Sequence, residues 1–383
     1  MSVTAARGFT AAGIAAGIKD NGARDLALVV NHGPRAAAAG VFTANRVQAA
    51  PVQWSRQVLA GGQVRAVVLN SGGANACTGP QGYQDTCTTA EHTARLLGHD
   101  MGEVAVCSTG LIGVPLPMQR LLAGLTRAGA ALSAHGGPDA ARAIMTTDTV
   151  PKTATAGRGR WSVGGMAKGA GMLAPGLATM LAVLTTDAAV EADVLQRALR
   201  AATRVTFDRI DSDGCMSTND TVLLLASGAC GITPGYGEFA EAVRQVCADL
   251  ARQLIGDAEG ASKDIRIEVM GAASEDDAVE VGRAVARNNL LKCALHGEDP
   301  NWGRVLAAIG TTRAAFEPDR LGVAINGVWV CKNGSVGEDR ALVDLTGREV
   351  RITADLAAGR ESAVVWTNDL TADYVHENSE YAS

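Results

Sequence analysis

The chain has 383 residues, 47% of them hydrophobic, which is enough to bury a sizeable core. Its 34 Lys and Arg stand against 40 Asp and Glu, a net charge of −6 with no long run of either sign, so neither a nucleic-acid groove nor an anionic membrane surface is expected as partner. The eight cysteines include no C-x-x-C pair and the six histidines no H-x-x-x-H, so the spacing predicts no metal, and without a recognisable leader or bilayer-length apolar run the expected compartment is a reducing cytoplasm.

In chain order, Val64 to Leu69 reads as a buried strand and TAEHTARLLGHDM as an amphipathic helix. VAVCSTGLIG, Val104 to Gly113, is the next strand, and Pro115 to Leu125, continuing to Leu132, the next helix. Thr146 and Thr147 in IMTTDTVPK end a further helix, and the polar stretch TATAGRGR reads as a surface loop. Beyond it, Gly169, Gly171, Pro175 and Gly176 break any regular element, yet from Met180 to Leu184 the chain is uniformly apolar, as in a buried strand. Thr179 stands at that junction.

The spacing of Val190, Val194, Leu195 and Leu199 predicts a helix, and the polar TFDRIDSDGCMSTND leads into a buried strand from Thr221 to Ala226. FAEAVRQVCADLARQLIG is a long helix, Ile265, Ile267 and Val269 alternate as in a strand, and Ala278 to Leu295 reads as one helix with Ser274 and Asp277 as its cap pair. The remainder is β-rich, with turns at Asn326-Gly327 and Asn333-Gly334. This texture is α/β, in one compact unit with a smaller C-terminal subdomain.

Several chemical readings fall away. Lys168 to Ala174 satisfies a loose G-x-G-x-x-A pattern, but Pro175 and Gly176 interrupt the helix that a dinucleotide turn requires, and no P-loop or nucleophile-elbow motif occurs. Asp211, Asp213 and Gly214 fit part of a calcium-loop frame with Asp220 at its twelfth position, but Arg209 would occupy its first ligand position, so the loop is read as one that caps its own backbone. NSGGANACTG serves equally as an anion cradle or as a tight turn.

A threonine hydroxyl needs a base to act as a nucleophile, and no histidine lies near Thr179 in the sequence. Were the Ala178–Thr179 bond cut, the new α-amino group, with an ordinary pKa of about 7.7 to 8.0, would itself be that base. Taken alone, a β-branched residue that opens a strand is equally unremarkable.

The surrounding motifs decide between these. KGAGMLAPGLATMLAVLTTDA resembles the self-processing junction of the ornithine acetyltransferase family, the bifunctional glutamate/ornithine N-acetyltransferases of arginine biosynthesis. NSGGANACTG, CSTGLIG, MTTDT, STNDT, DAEGASK, DPNWGR and ENSEYAS are similar to that family's signatures in its order, over essentially the whole chain. One departure is NSGGAN, where the family more often shows NSGNAN.

The resemblance implies a layered αββα sandwich like that of the DmpA and ornithine acetyltransferase fold. It implies self-cleavage into an α chain, 1–178, and a β chain, 179–383, assembled as an α2β2 heterotetramer. Thr179 would be the nucleophile for cleavage after Ala178 and for turnover, with its terminal amine as base. Thr109 and Gly110 would form the oxyanion hole, where losing one donor typically costs about 3 kcal/mol. Thr146, Lys168, Thr179, Glu259, Asn378 and Ser383 would bind substrate, Lys168 at its carboxylate and Glu259 at the distant ammonium of ornithine. The implied reaction moves acetyl from N-acetyl-L-ornithine to L-glutamate through an acetyl-threonine, with no cofactor. The family includes members that also take acetyl-CoA as co-substrate, and the sequence leaves that open. The alternatives are an amidase or aminopeptidase of the DmpA type, in which water resolves the acyl-enzyme, and a ligand-binding protein with an inert site.

Overall fold

The structure, a computed structural model, describes residues 2–174 and 180–380. Two sheets lie face to face at its centre. The first has the order β1-β2-β4-β5, from β1 (Phe9–Ile14), β2 (Leu26–Asn31), β4 (Ala66–Ser71) and β5 (Val104–Thr109). The second has the order β3-β9-β8-β7-β6, from β3 (Ala37–Phe42), β6 (Lys152–Arg158), β7 (Trp161–Lys168), β8 (Leu181–Thr186) and β9 (Thr221–Ala226). Both β4 with β5 and β8 with β9 run parallel, and every residue of these four strands is buried. Burial on both faces accounts for their uniform apolar runs.

Strand β8 shows how one sequence serves two layers. Leu181 and Val183 join the core shared with the first sheet, while Met180, Ala182 and Leu184 join the core beneath the helices on the other side. Each such side chain contributes about 1.5–3 kcal/mol on full burial. Helices α1 (Ala50–Ala60), α2 (Gly79–Leu97), α3 (Met118–Ala130) and α4 (Gly137–Ala143) cover the first sheet, and α5 (Ala192–Arg204) and α6 (Tyr236–Gly256) cover the second. The layers therefore run α, β, β, α.

The C-terminal part forms a third sheet, β13-β12-β11-β14-β10-β15, with its own apolar core. Its strands are β10 (Asp264–Ala272), β11 (Gly322–Ile325), β12 (Val328–Lys332), β13 (Ser335–Val336), β14 (Glu349–Asp355) and β15 (Glu361–Asn368). Helices α7 (Glu275–Ala286), α8 (Asn289–His296) and α9 (Trp302–Ile309) accompany it, and α10 (Ala372–Glu380) closes the described chain.

Three expectations need correction. TATAGRGR is not a loop: residues 152 to 158 form strand β6, in which Ala154 and Ala156 are buried and alternate with more accessible residues. The helix expected from Ala278 to Leu295 is two, because the Asn288 side chain accepts a hydrogen bond from the Leu291 N–H and starts α8 afresh. Thr146 and Thr147 lie beyond α4, which ends at Ala143. The expected Ser274 cap is present, its hydroxyl accepting from the Asp277 N–H at 3.1 Å.

Candidate active site

The ends of β5 and β7 meet where the second sheet faces the first. Thr109 is the last residue of β5, and Gly110 follows it at φ +130°, a region that favours glycine. A side chain at Gly110 would also collide with the loop after β4, since its Cβ would lie 2.5 Å from the Gly73 nitrogen. That loop is the NSGGAN segment. The Gly73 N–H donates to the Thr109 carbonyl at 3.0 Å and the Ala74 N–H to the Leu111 carbonyl at 2.9 Å, so the turn carrying Thr109 and Gly110 is held from its side.

Lys168 ends β7 and is 3% exposed, so it is a buried strand residue rather than a solvated loop lysine. Its register pairs it with Leu181, two residues beyond Thr179. Lys168 Nζ donates to Thr109 Oγ1 at 3.4 Å. An ammonium only donates, so the Thr109 hydroxyl proton is left to point elsewhere, as an oxyanion donor must. Burial lowers the Lys168 pKa and Lys152 adds to this, while Asp148 chiefly opposes it.

Asp148 organises this end of the site. Its Oδ1 accepts from Lys152 Nζ and from the Gly169 N–H, each at 2.7 Å, and its Oδ2 accepts from the Thr146 N–H at 3.0 Å. Burial works against its charge, but Lys168, Lys152 and the Gly169 amide outweigh it and hold the carboxyl below the usual range. Lys152, fully buried, also donates to Asp257 Oδ2 at 2.5 Å.

Glu259 lies three residues beyond α6. Its Oε1 accepts from the Thr147 hydroxyl at 2.6 Å and its Oε2 from Asn378 Nδ2 at 3.0 Å. Gly171 makes room for it, since a Cβ there would sit 2.5 Å from the Glu259 carboxylate oxygens. Gly260, at φ +59°, lets α10 dock, because its Cβ would lie 2.2 Å from the Tyr374 nitrogen. The tail thus folds back as a helix that brings Asn378 to Glu259.

These side chains converge on one cavity of about 160 Å³, lined by Thr109, Gly110, Thr146, Lys168, Glu259 and Asn378 together with Thr147, Asn219 and others. Sites for drug-sized ligands start at about 300 Å³, so the space suits something the size of an amino acid. A larger groove of about 650 Å³ on the third sheet holds none of the expected residues. Ala178, Thr179 and Ser383 lie outside the described residues. Met180, the first described residue after the junction, is buried, and its N–H donates to Asp220 Oδ1 at 3.0 Å.

The sequence reading assigned no site role to Thr147, Asp148, Lys152, Asn219, Asp220 or Asp257, with Asp220 weighed only as the twelfth position of the rejected calcium-loop frame. Five of these lie within MTTDT, STNDT and DAEGASK, so the motifs marked the places without assigning the side chains.

Residues 10–383 match the model of the ArgJ family. The chain belongs to the ArgJ family. An arginine biosynthesis bifunctional protein ArgJ from Streptomyces avermitilis is 76% identical over 383 residues, all of both chains, and one from Thermobifida fusca is 65% identical with the same coverage. Among solved structures, an ornithine acetyltransferase from Mycobacterium tuberculosis in complex with ornithine is 58% identical, covering 47% of this chain and 96% of its own, with a TM-score of 0.45. The ArgJ assignment covers nearly all of the sequence, including every motif that carried the resemblance.

Proposed function

We propose that this chain is the bifunctional acetyltransferase of arginine biosynthesis, which moves acetyl from N-acetyl-L-ornithine to L-glutamate. The observation that carries the reading is the convergence of Thr109, Gly110, Thr146, Lys168, Glu259 and Asn378 on one amino-acid-sized cavity in a member of the ArgJ family.

In maturation, the Thr179 hydroxyl adds to the Ala178 carbonyl, the peptide C–N bond breaks, and an ester links Ala178 to the Thr179 oxygen. Water hydrolyses that ester, leaving the Ala178 carboxylate, the Thr179 hydroxyl and a free Thr179 amine. In turnover, the hydroxyl attacks the acetyl carbonyl of N-acetylornithine and its proton passes to the amine. The proton then goes to the departing ornithine nitrogen as the C–N bond breaks, which leaves acetyl on Thr179. The glutamate amine attacks this ester, gives up a proton through the same amine, and restores the hydroxyl. Thr109 and Gly110 stabilise the oxyanion of each tetrahedral intermediate.

Lys168 meets the substrate carboxylate and Glu259 the side-chain ammonium of ornithine, both from the lining of the one cavity. The two chains work as an α2β2 heterotetramer in the cytoplasm, without a cofactor, and acetyl-CoA is a candidate second donor at the same threonine. Labelled N-acetylornithine, supplied with and without glutamate, tests the reaction. Label should pass to N-acetylglutamate and acetate release should stay slow without an acceptor. Rapid acetate release with no acceptor would instead assign a hydrolase.

A further inference from the structure

Asp220 takes no part in the reaction described above, yet it is hydrogen-bonded to Met180, the first described residue after the processing junction. Strands β8 and β9 run parallel with Leu181 beside Thr221, which sets Asp220 beside Met180. Both backbone groups of Met180 are held there: its N–H donates to Asp220 Oδ1 at 3.0 Å, and its carbonyl accepts from the Thr221 N–H at 3.1 Å. The Asp220 carbonyl in turn accepts from the Thr43 N–H at 2.9 Å. On the other side, the Asn219 side-chain amide donates to the carbonyls of Ala74 at 2.7 Å and Ser108 at 2.8 Å. One short loop therefore grips the residue after Thr179 and the residue before Thr109.

We propose that Asp220 is a positioning residue for self-cleavage and turnover, its Oδ1 fixing the Met180 amide, at the start of the segment that follows the junction, relative to the loop that holds Ser108. The proposal rests on Thr179 being the nucleophile.

The surroundings also set its charge state. Asp220 is 1% exposed, forms no ion pair among the described residues, and its Oδ2 has no hydrogen-bond partner there. Burial raises its pKa well above the ordinary carboxylate value, only partly offset by the Met180 amide, the nearby Ser217 hydroxyl and the charge of Lys168, while Asp208 adds to the rise.

Asparagine reproduces a neutral carboxyl in shape, with an acceptor at one position and a donor at the other. The test follows self-cleavage of freshly purified full-length chain by denaturing electrophoresis, then kcat and KM of the processed enzyme, for wild type, D220A, D220L and D220N. D220L fills the space that D220A leaves void. D220A and D220L should slow cleavage at least about tenfold and lower kcat more than they raise KM, as loss of a buried hydrogen bond to a positioned amide implies. D220N should recover cleavage to within about threefold of wild type, the part of that loss a neutral acceptor restores.

Cleavage and turnover in D220A and D220L equal to wild type would overturn the positioning role. D220N as defective as D220A and D220L would overturn it too, by showing that an acceptor for the Met180 amide is not what the site requires. T179A runs alongside: if wild type is not cut while T179A remains active, the nucleophile reading itself has failed, an outcome distinct from either result at Asp220.

Discussion

The Lys168 end and the Glu259 end of the cavity present opposite charges, and the chain secures them by different means. Lys168 sits on a strand between two sheets, and its neighbour Asp148 holds Lys152, the Gly169 amide and the Thr146 amide without solvent access. Glu259 sits in a loop, and one of its carboxylate oxygens accepts from Asn378, an exposed residue of the terminal helix. The first end cannot rearrange without opening the sandwich. The second can lose its outer partner and leave the core as it was. By this contrast the fold fixes Lys168 from within the sandwich, whereas the surroundings of Glu259 are completed at the edge, from the terminal helix.

The largest effect should therefore come from Lys168. K168M should lower kcat/KM about 10²- to 10³-fold for both substrates, since a buried cation facing a carboxylate is lost. Its melting temperature should hold or rise, because Asp148 keeps Lys152 and a desolvated charge has gone. A lower melting temperature with unchanged kinetics would make Lys168 merely structural. At the other end, E259Q should raise KM for N-acetylornithine about tenfold while sparing glutamate, which carries no side-chain ammonium, and N378A should raise the same KM only about two- to fivefold, as expected for one partly exposed hydrogen bond. An equal rise for both substrates in E259Q would remove Glu259 from the recognition of ornithine.

The layered core was legible because its strands announce themselves: Ala66 to Leu69 and Val222 to Ala226 are uninterrupted apolar runs. Strand β6 was not, since Ala154 and Ala156 bury little area and the intervening threonines and glycine read as a turn. The split between α7 and α8 had a signal in Asn288, a residue type that starts helices, but the apolar spacing on either side continues across it.

Within the site, every cavity residue named in advance came from a motif, whereas the pairing of charges behind it could not be read from any motif. Lys152 and Asp257 are 105 residues apart, and nothing in either local pattern pairs them until β6 lies against α6. Lys168 is similar: beside four helix-breaking residues it reads as loop, and only its register with Leu181 puts it in a strand. Asp220 lies within STNDT, but its meaning depends on the parallel pairing of β8 with β9.

The account turns on one peptide bond. Purified wild-type protein, separated by denaturing electrophoresis and followed by N-terminal sequencing of the fragments, tests it most directly. The account predicts two fragments, one of which begins Thr-Met-Leu-Ala, and a single full-length band for T179A. A wild-type enzyme that remains one intact chain while it transfers acetyl from N-acetylornithine to glutamate would contradict it.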